Sequence, residues 1–470
     1  MTRSRRMPPS AFLRLLRRHT SGPFRLEGVT VTGDLDLSGQ SFGFDLELPG
    51  CRIEGALILD GVTGQSIDLT GLHAEAVQAF RLRLSTDLTL RQAVIGSGNG
   101  TEPLADQRVT GSGDEVAGPF GVPRHKAVSS AVLELSDARI DGDLMLADLT
   151  LGSSGQWSLY ADQLQVTGSV TGTGLSATGA VHLRAANIGG AVYLNGARIA
   201  GMEASVAQIR RGLYVDWGFT STGQVRLRSS EVGVLVTFHD AVITGGLNLA
   251  RLRTPRLRLD FRDRPEGRIV LRDAQVDAYV DNRESWPEPG RLDLEGLTYR
   301  RLAEGPGTDH QERLRWLRLD QHAGAGSYEQ LALCYARAGD ERAARLVRLA
   351  RQRRIRRGDR LPARVWSVLQ DVLFGYGYLP GRALAWLLFL VTTGALWFAA
   401  HPPRRVKNDG PAWDPVLYVL DLIVPVANLG HRTAWDPAGI DKAVSVVLIL
   451  SGWLLATAVI AGVGRVLNRG

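Results

Sequence analysis

The chain is poor in the residues that mark most enzyme classes. Only two cysteines occur in 470 residues, Cys51 and Cys334, in segments of different character. A disulfide framework is therefore not expected, and no C-x-x-C spacing for zinc or redox chemistry exists. Lysine is confined to Lys126, Lys407 and Lys442, so the formal net charge of +7 rests on arginine. The Arg, Gly and Ala bias matches a high-GC bacterial coding sequence and carries no function. No apolar stretch of 7 residues follows the charged start MTRSRRMPPSAFLRLLRRHTSG, so a secretory signal is not expected. Phe12, Leu13, Leu15 and Leu16 alternate there with arginines, which predicts a basic amphipathic cap helix within 1–23. The sharper alternative is a membrane-surface contact.

What the chain does have is a repeat. Glycine stands at 168, 179, 190, 201, 212 and 223 and returns at 245, an 11-residue beat, usually followed by x-Φ-x-Φ as in Val181/Leu183 and Val192/Leu194. The same signature opens GDLDL (33–37), GALIL (55–59), GDLML (142–146), GGLNL (245–249) and GRLDL (290–294). Alternation at period two is a strand signal. The recurrent glycine marks either a corner with φ > 0 or a close backbone approach. With no helical period between them, the strands predict a β-solenoid over 24–300, with roughly 22 residues per coil. Residues 96–126 break the beat and read as a loop insertion. His73, His182 and His239 lack ligand spacing and read as solvent-facing strand residues. The glycine-rich GSGNG at 96–100 precedes no helix and gives no dinucleotide fingerprint.

After residue 300 the period changes to helical. Tyr328, Leu331, Ala332 and Tyr335, then Ala343, Leu346, Val347 and Ala350, predict an α-helical hairpin within the Arg-rich 301–360, broken at Gly339 and capped by Asp340. Ten arginines fall between 342 and 364. Without interleaved aromatics for base stacking they argue against nucleic acid. Arg351, Arg353, Arg354, Arg356 and Arg357 are the candidate contacts to anionic lipid.

Two uncharged runs, 383–400 and 443–464, predict two transmembrane helices in a membrane domain over 382–470. The arginine bias places both ends and the solenoid on the cytoplasmic side of a bacterial inner membrane. Between the runs, 414–430 reads as a re-entrant or interfacial segment, with Asp421, Pro425, Asn428 and His431 as functional candidates. Residues 361–381 read as an interfacial helix and elbow. The Gly375-Tyr376-Gly377 tripeptide resembles a potassium filter but precedes the first apolar run, so Tyr376 and Tyr378 read as interfacial anchors.

The segments DVLFGYGYLPGRALAW, LYVLDLIVPVANLG and SGWLLATAVIAGVGRVLNR resemble the C-terminal ends of bacterial, largely actinobacterial, β-solenoid membrane proteins labelled "membrane-associated oxidoreductase". The resemblance implies membrane attachment and a redox activity, with no residues assigned to it. No cofactor fingerprint, haem motif or metal set stands in the chain. The expectation is thus a mainly-β, membrane-anchored solenoid scaffold that is not an enzyme. Its partners are the lipid bilayer and a protein or a second copy, with no nucleic acid, small-molecule substrate or cofactor. An oligomeric ion-conducting or membrane-perturbing assembly lined by 414–430 is the alternative, and the oxidoreductase implied by the resemblance is the other.

Overall fold

The computed structural model describes residues 6–96, 131–302, 309–355, 380–406, 411–424 and 429–467, with backbone alone at 355, 380–385 and 454–467. Two compact units result, Met1–Gly339 and Asp340–Gly470.

The first unit is a parallel β-solenoid with four faces per coil. One coil runs through the strands Asn187–Ile188, Val192–Tyr193, Arg198–Ile199 and Met202–Glu203, and the next begins at Gln208–Ile209. Each face pairs in parallel with the same face one coil on, as in Asn187↔Gln208, Val192↔Leu213, Arg198↔Thr220 and Met202↔Val225. Two 11-residue units per coil, as the spacing predicts, thus cover two faces each. The third face builds a 10-stranded sheet and the fourth an 11-stranded one. Inward residues stack in columns: Leu57, Val77, Leu133, Leu159, Val181 and Met202 of the fourth face are all buried. A strand of two residues has no stability alone; burial of about 1.5–3 kcal/mol per inward side chain holds the stack.

The beat glycines do not sit at left-handed corners. Gly168, Gly179, Gly190, Gly201, Gly212, Gly223 and Gly245 all have ordinary φ. Most leave room for the coil beneath: a Cβ on Gly168 would strike the Asp143 carboxylate and come within 2.6 Å of the Gly142 carbonyl oxygen. That space admits a bridge between coils. Asp143 Oδ1 accepts from Ser169 N at 2.6 Å, Asp87 Oδ1 from Asp143 N at 2.7 Å, and Asp34 Oδ1 from Ala56 N at 2.8 Å. The Asp of each G-D-L motif is therefore a coil-to-coil acceptor. Gly168→Val is expected to cost about 1–3 kcal/mol through overpacking, with Asp143→Ala costing about 1 kcal/mol, both read from chemical denaturation. Equal, negligible losses would refute this account of the beat.

Left-handed residues stand instead in the other corners, twice per coil. Leu37 O accepts from Gln40 N with Gly39 at φ 65°, and Leu194 O from Ala197 N with Gly196 at φ 67°. In these two turns only the third residue has φ > 0, which makes them type II, whereas in the Asp216–Phe219 turn both Trp217 (φ 48°) and Gly218 (φ 85°) are left-handed, as in type I′. Glycine fills only some of these sites; Gln92, Asp148, Ala185, Val206 and Trp217 fill others, so the sequence hides them.

Both ends of the stack are covered. Helix α1 (Pro9–Arg18) buries Phe12 and Leu16, with Phe12 5.6 Å from Phe24. Leu15 remains exposed, so α1 is a cap with one apolar stripe. At the far end α2 (His310–Leu319) buries Arg313, Trp316 and Leu317, and α3 (Ala325–Arg337) follows. Helix α4 (Glu341–Ile355) belongs to the second unit; Gly339 has φ 81° and Asp340 accepts from Ala343 N at 2.9 Å, as the sequence predicts.

The second unit also contains α5 (Pro380–Ala400), α6 (Pro415–Ile423), α7 (His431–Ala434) and α8 (Ile440–Leu467). Helix α6 packs on both α5 and α8. Phe398, Tyr418, Val419, Leu422, Ile423 and Leu448 form its core. Gly394 lets α5 approach Val419, and Gly452 lets α8 approach the Ile423 carbonyl. Among the described residues no helix is long and apolar enough to cross a membrane. The two expected spans thus rest on sequence alone.

Candidate functional site

The residues picked from sequence fall into three groups. Asp421 lies on α6 and is only 4% exposed. Its Oδ1 accepts from Leu429 N at 2.8 Å and its Oδ2 from Arg432 N at 2.7 Å. Both carboxylate oxygens are therefore committed to the backbone N–H groups of Leu429 and Arg432, which fixes α7 against α6. His431, its second candidate neighbour, is buried as well, and its Nδ1 has no hydrogen-bond partner. This geometry makes Asp421 a clamp on the chain. Pro425 and Asn428 lie outside the described residues.

Arg351, Arg353 and Arg354 occupy the end of α4, and each already takes part in a noncovalent interaction within the protein. Arg356, Arg357, Tyr376 and Tyr378 lie outside the described residues, as does the elbow.

Apolar side chains of α5 and α8 that do not enter the core stand in the open. Leu388, Phe389 and Leu396 on α5, and Val446, Val447, Leu450 and Trp453 on α8, are all exposed. Around the 401–442 connection gather Trp413, Trp435 and Tyr418, with Trp413 4.9 Å from Trp435 and 5.2 Å from Tyr418. Arg405 lies over the Trp435 ring at 5.8 Å.

A second cluster, missed in the sequence, lies on the solenoid. Asp216, His239 and Asp260 occupy equivalent corner positions of three successive coils. Asp216 Oδ1 accepts from Thr237 Oγ1 at 2.8 Å and from His239 N at 2.7 Å. His239 Nδ1 lies 2.8 Å from Asp260 Oδ2, which also takes Arg258 at 2.7 Å, while Asn282 donates to Asp260 Oδ1. Arg262 Nε donates to Asp240 Oδ1 at 2.8 Å, and this contact holds the Asp240 carboxyl below its usual range. Above the cluster stands Trp217, 64% exposed, edge-on to the His239 ring at 4.7 Å. Its φ of 48° is left-handed, a strain of about 1–3 kcal/mol for a bulky residue. Folding the sequence at the coil length, rather than the 11-residue beat, would have aligned these residues.

The other histidines also depart from expectation in one case. His73 is exposed, but His182 is 7% exposed, stacked on Tyr160 at 4.2 Å and 3.4 Å from Asp162. Its ring lies in a ladder that fills space between coils, and this contact lowers the Asp162 pKa. Cys51 and Cys334 are free and buried, and burial pushes both thiols up, away from the exposed thiolate that redox exchange requires.

Comparison with protein-family models, with curated proteins and with solved structures yields no match to this chain.

Proposed function

We propose that the protein is a membrane-anchored scaffold, in which the helical unit holds the chain to a lipid bilayer and the β-solenoid presents its faces to a protein partner or another copy. The exposed apolar side chains of α5 and α8 carry this reading, because large open apolar surface marks an interaction site or a membrane contact. The uncharged runs 383–400 and 443–464 include these side chains and are the segments assigned to the bilayer. The tryptophans and Arg405 around the 401–442 connection suit a headgroup layer. Arginine bias favours a cytoplasmic solenoid at the bacterial inner membrane. On the solenoid side, capped ends leave the lateral faces as the surfaces for partners, and the packed position of Asp421 favours a scaffold over a pore.

Alkaline carbonate extraction of cell membranes tests the anchor. The parent chain is expected to stay in the pellet. A Leu388→Lys/Phe389→Lys/Leu450→Lys variant should shift to the supernatant, since each charge at bilayer depth costs about 2.5–3.5 kcal/mol. Release of the parent by carbonate would overturn the anchor.

A further inference from the structure

The geometry points to a saccharide-binding site on the solenoid, centred on Trp217. A sugar ring lies on the open face of the indole, with its hydroxyls on the polar rim of His239, Asp240 and Asp260. The first reason is the cost of Trp217 where it stands. An indole at a left-handed corner gives the fold strain, and with 64% of the residue exposed it returns little burial. Glycine serves the same corner one coil earlier, at Gly196, so the turn does not need an aromatic.

The second reason is the chemistry of the rim. An open indole offers a flat apolar surface with a negative face, which suits the C–H face of a pyranose, a nucleobase or an aromatic side chain. The charges choose among these. Arg258 is closed by Asp260 and Arg262 by Asp240, so neither of these two guanidiniums is left uncompensated for a phosphate. What remains is a balanced set of fixed donors and acceptors, a match for a neutral ligand with several hydroxyls.

Third, the rim is pre-organised and incompletely satisfied. His239 is held through Nδ1 by Asp260, and its Nε2 has no protein partner among the described residues. The outer nitrogen of the part-exposed His239 ring, beside the indole, is where a ligand hydroxyl supplies a further bond.

The test uses the full chain in a zwitterionic detergent without a sugar headgroup, titrated with cellohexaose, maltohexaose and chitohexaose. Saturation-transfer NMR and tryptophan fluorescence report binding. At least one hexasaccharide is expected to bind, and Trp217→Ala should weaken it roughly tenfold. Trp217→Gly should lose binding equally while its Tm holds or rises, because glycine relieves the left-handed strain. Silence from all three sugars overturns the site, as does undiminished binding by Trp217→Ala. Binding of ATP in their place overturns the ligand class, and a fall in Tm for Trp217→Gly assigns the indole to the fold instead.

Discussion

Replacing Arg313 with methionine is expected to destabilise the solenoid unit by about 3–5 kcal/mol. The Arg313 and Asp281 side chains are each 1% exposed. Arg313 Nη1 donates to Asp281 Oδ1's companion oxygen, Oδ2, at 3.0 Å, and Nη2 closes the second bond to Oδ1. Trp286 Nε1 adds a donor to Oδ2 at 2.9 Å, and the guanidinium lies 5.7 Å from the Trp286 ring and 5.3 Å from the Trp316 ring. Asp281 belongs to a coil strand and Arg313 to α2, so this pair ties the terminal cap to the stack. Methionine keeps most of the volume but leaves a buried carboxylate facing apolar walls. That orphaned charge, rather than the lost attraction, sets the size of the effect. Pairing it with Asp281→Leu should recover most of the loss, short of the bond to Trp286 Nε1. Urea unfolding of the single and double variants decides it: a single variant within about 1 kcal/mol of the parent would sink the idea.

The same cap shows where sequence reading stops. The 11-residue beat reveals the solenoid because glycine and period-two alternation are local signals, repeated in every coil. It also supplies the correct coil length, two beats. Yet the beat glycines answer a tertiary demand, room for the Asp143 or Asp87 bridge below, whereas left-handed corners tolerate Gln92, Val206 or Trp217 and leave no consistent mark. Residues that meet only after a full coil, such as His239 and Asp260, are invisible to any window shorter than the coil. The pairing of Arg313 with Asp281, 32 residues away, leaves no local mark in the sequence. In the helical unit, Asp421 stands out as the lone charge in an apolar run, but its purpose comes from backbone donors at Leu429 and Arg432. The local interpretation, a carboxylate hydrogen-bonding nearby chain, is the one the geometry supports.

Raising the pH above about 10 is expected to unfold the end of the solenoid steeply, through Tyr279 and Tyr299. Both phenols are pushed well above their usual range, in each case mainly by burial, with Asp281 the next influence on Tyr279 and Cys334 on Tyr299. The folded state keeps these protons where the unfolded chain, with an ordinary tyrosine pKa near 10, releases them. The unfolded state then binds fewer protons, so stability falls as pH rises, by about 1.4 kcal/mol per pH unit for each tyrosine and about 2.7 for the two. Below about pH 10 both states are protonated and these groups contribute no slope. Tyr299→Phe should remove half of the part of the alkaline slope that the two tyrosines supply, at little cost near neutrality, because the Tyr299 hydroxyl is buried without a hydrogen-bond partner. Tyr279→Phe removes the other half, and its hydroxyl interaction with Asp281 makes a small loss at neutral pH the expected signature. Denaturation free energies measured from pH 8 to 12, with tyrosinate absorbance followed in parallel, separate the contributions. An unchanged slope in the double phenylalanine variant would assign alkaline unfolding elsewhere. A slope that shrinks by about 2.7 kcal/mol per pH unit in that variant would assign it to these two phenols, of which Tyr279 packs 5.6 Å from the Trp316 ring.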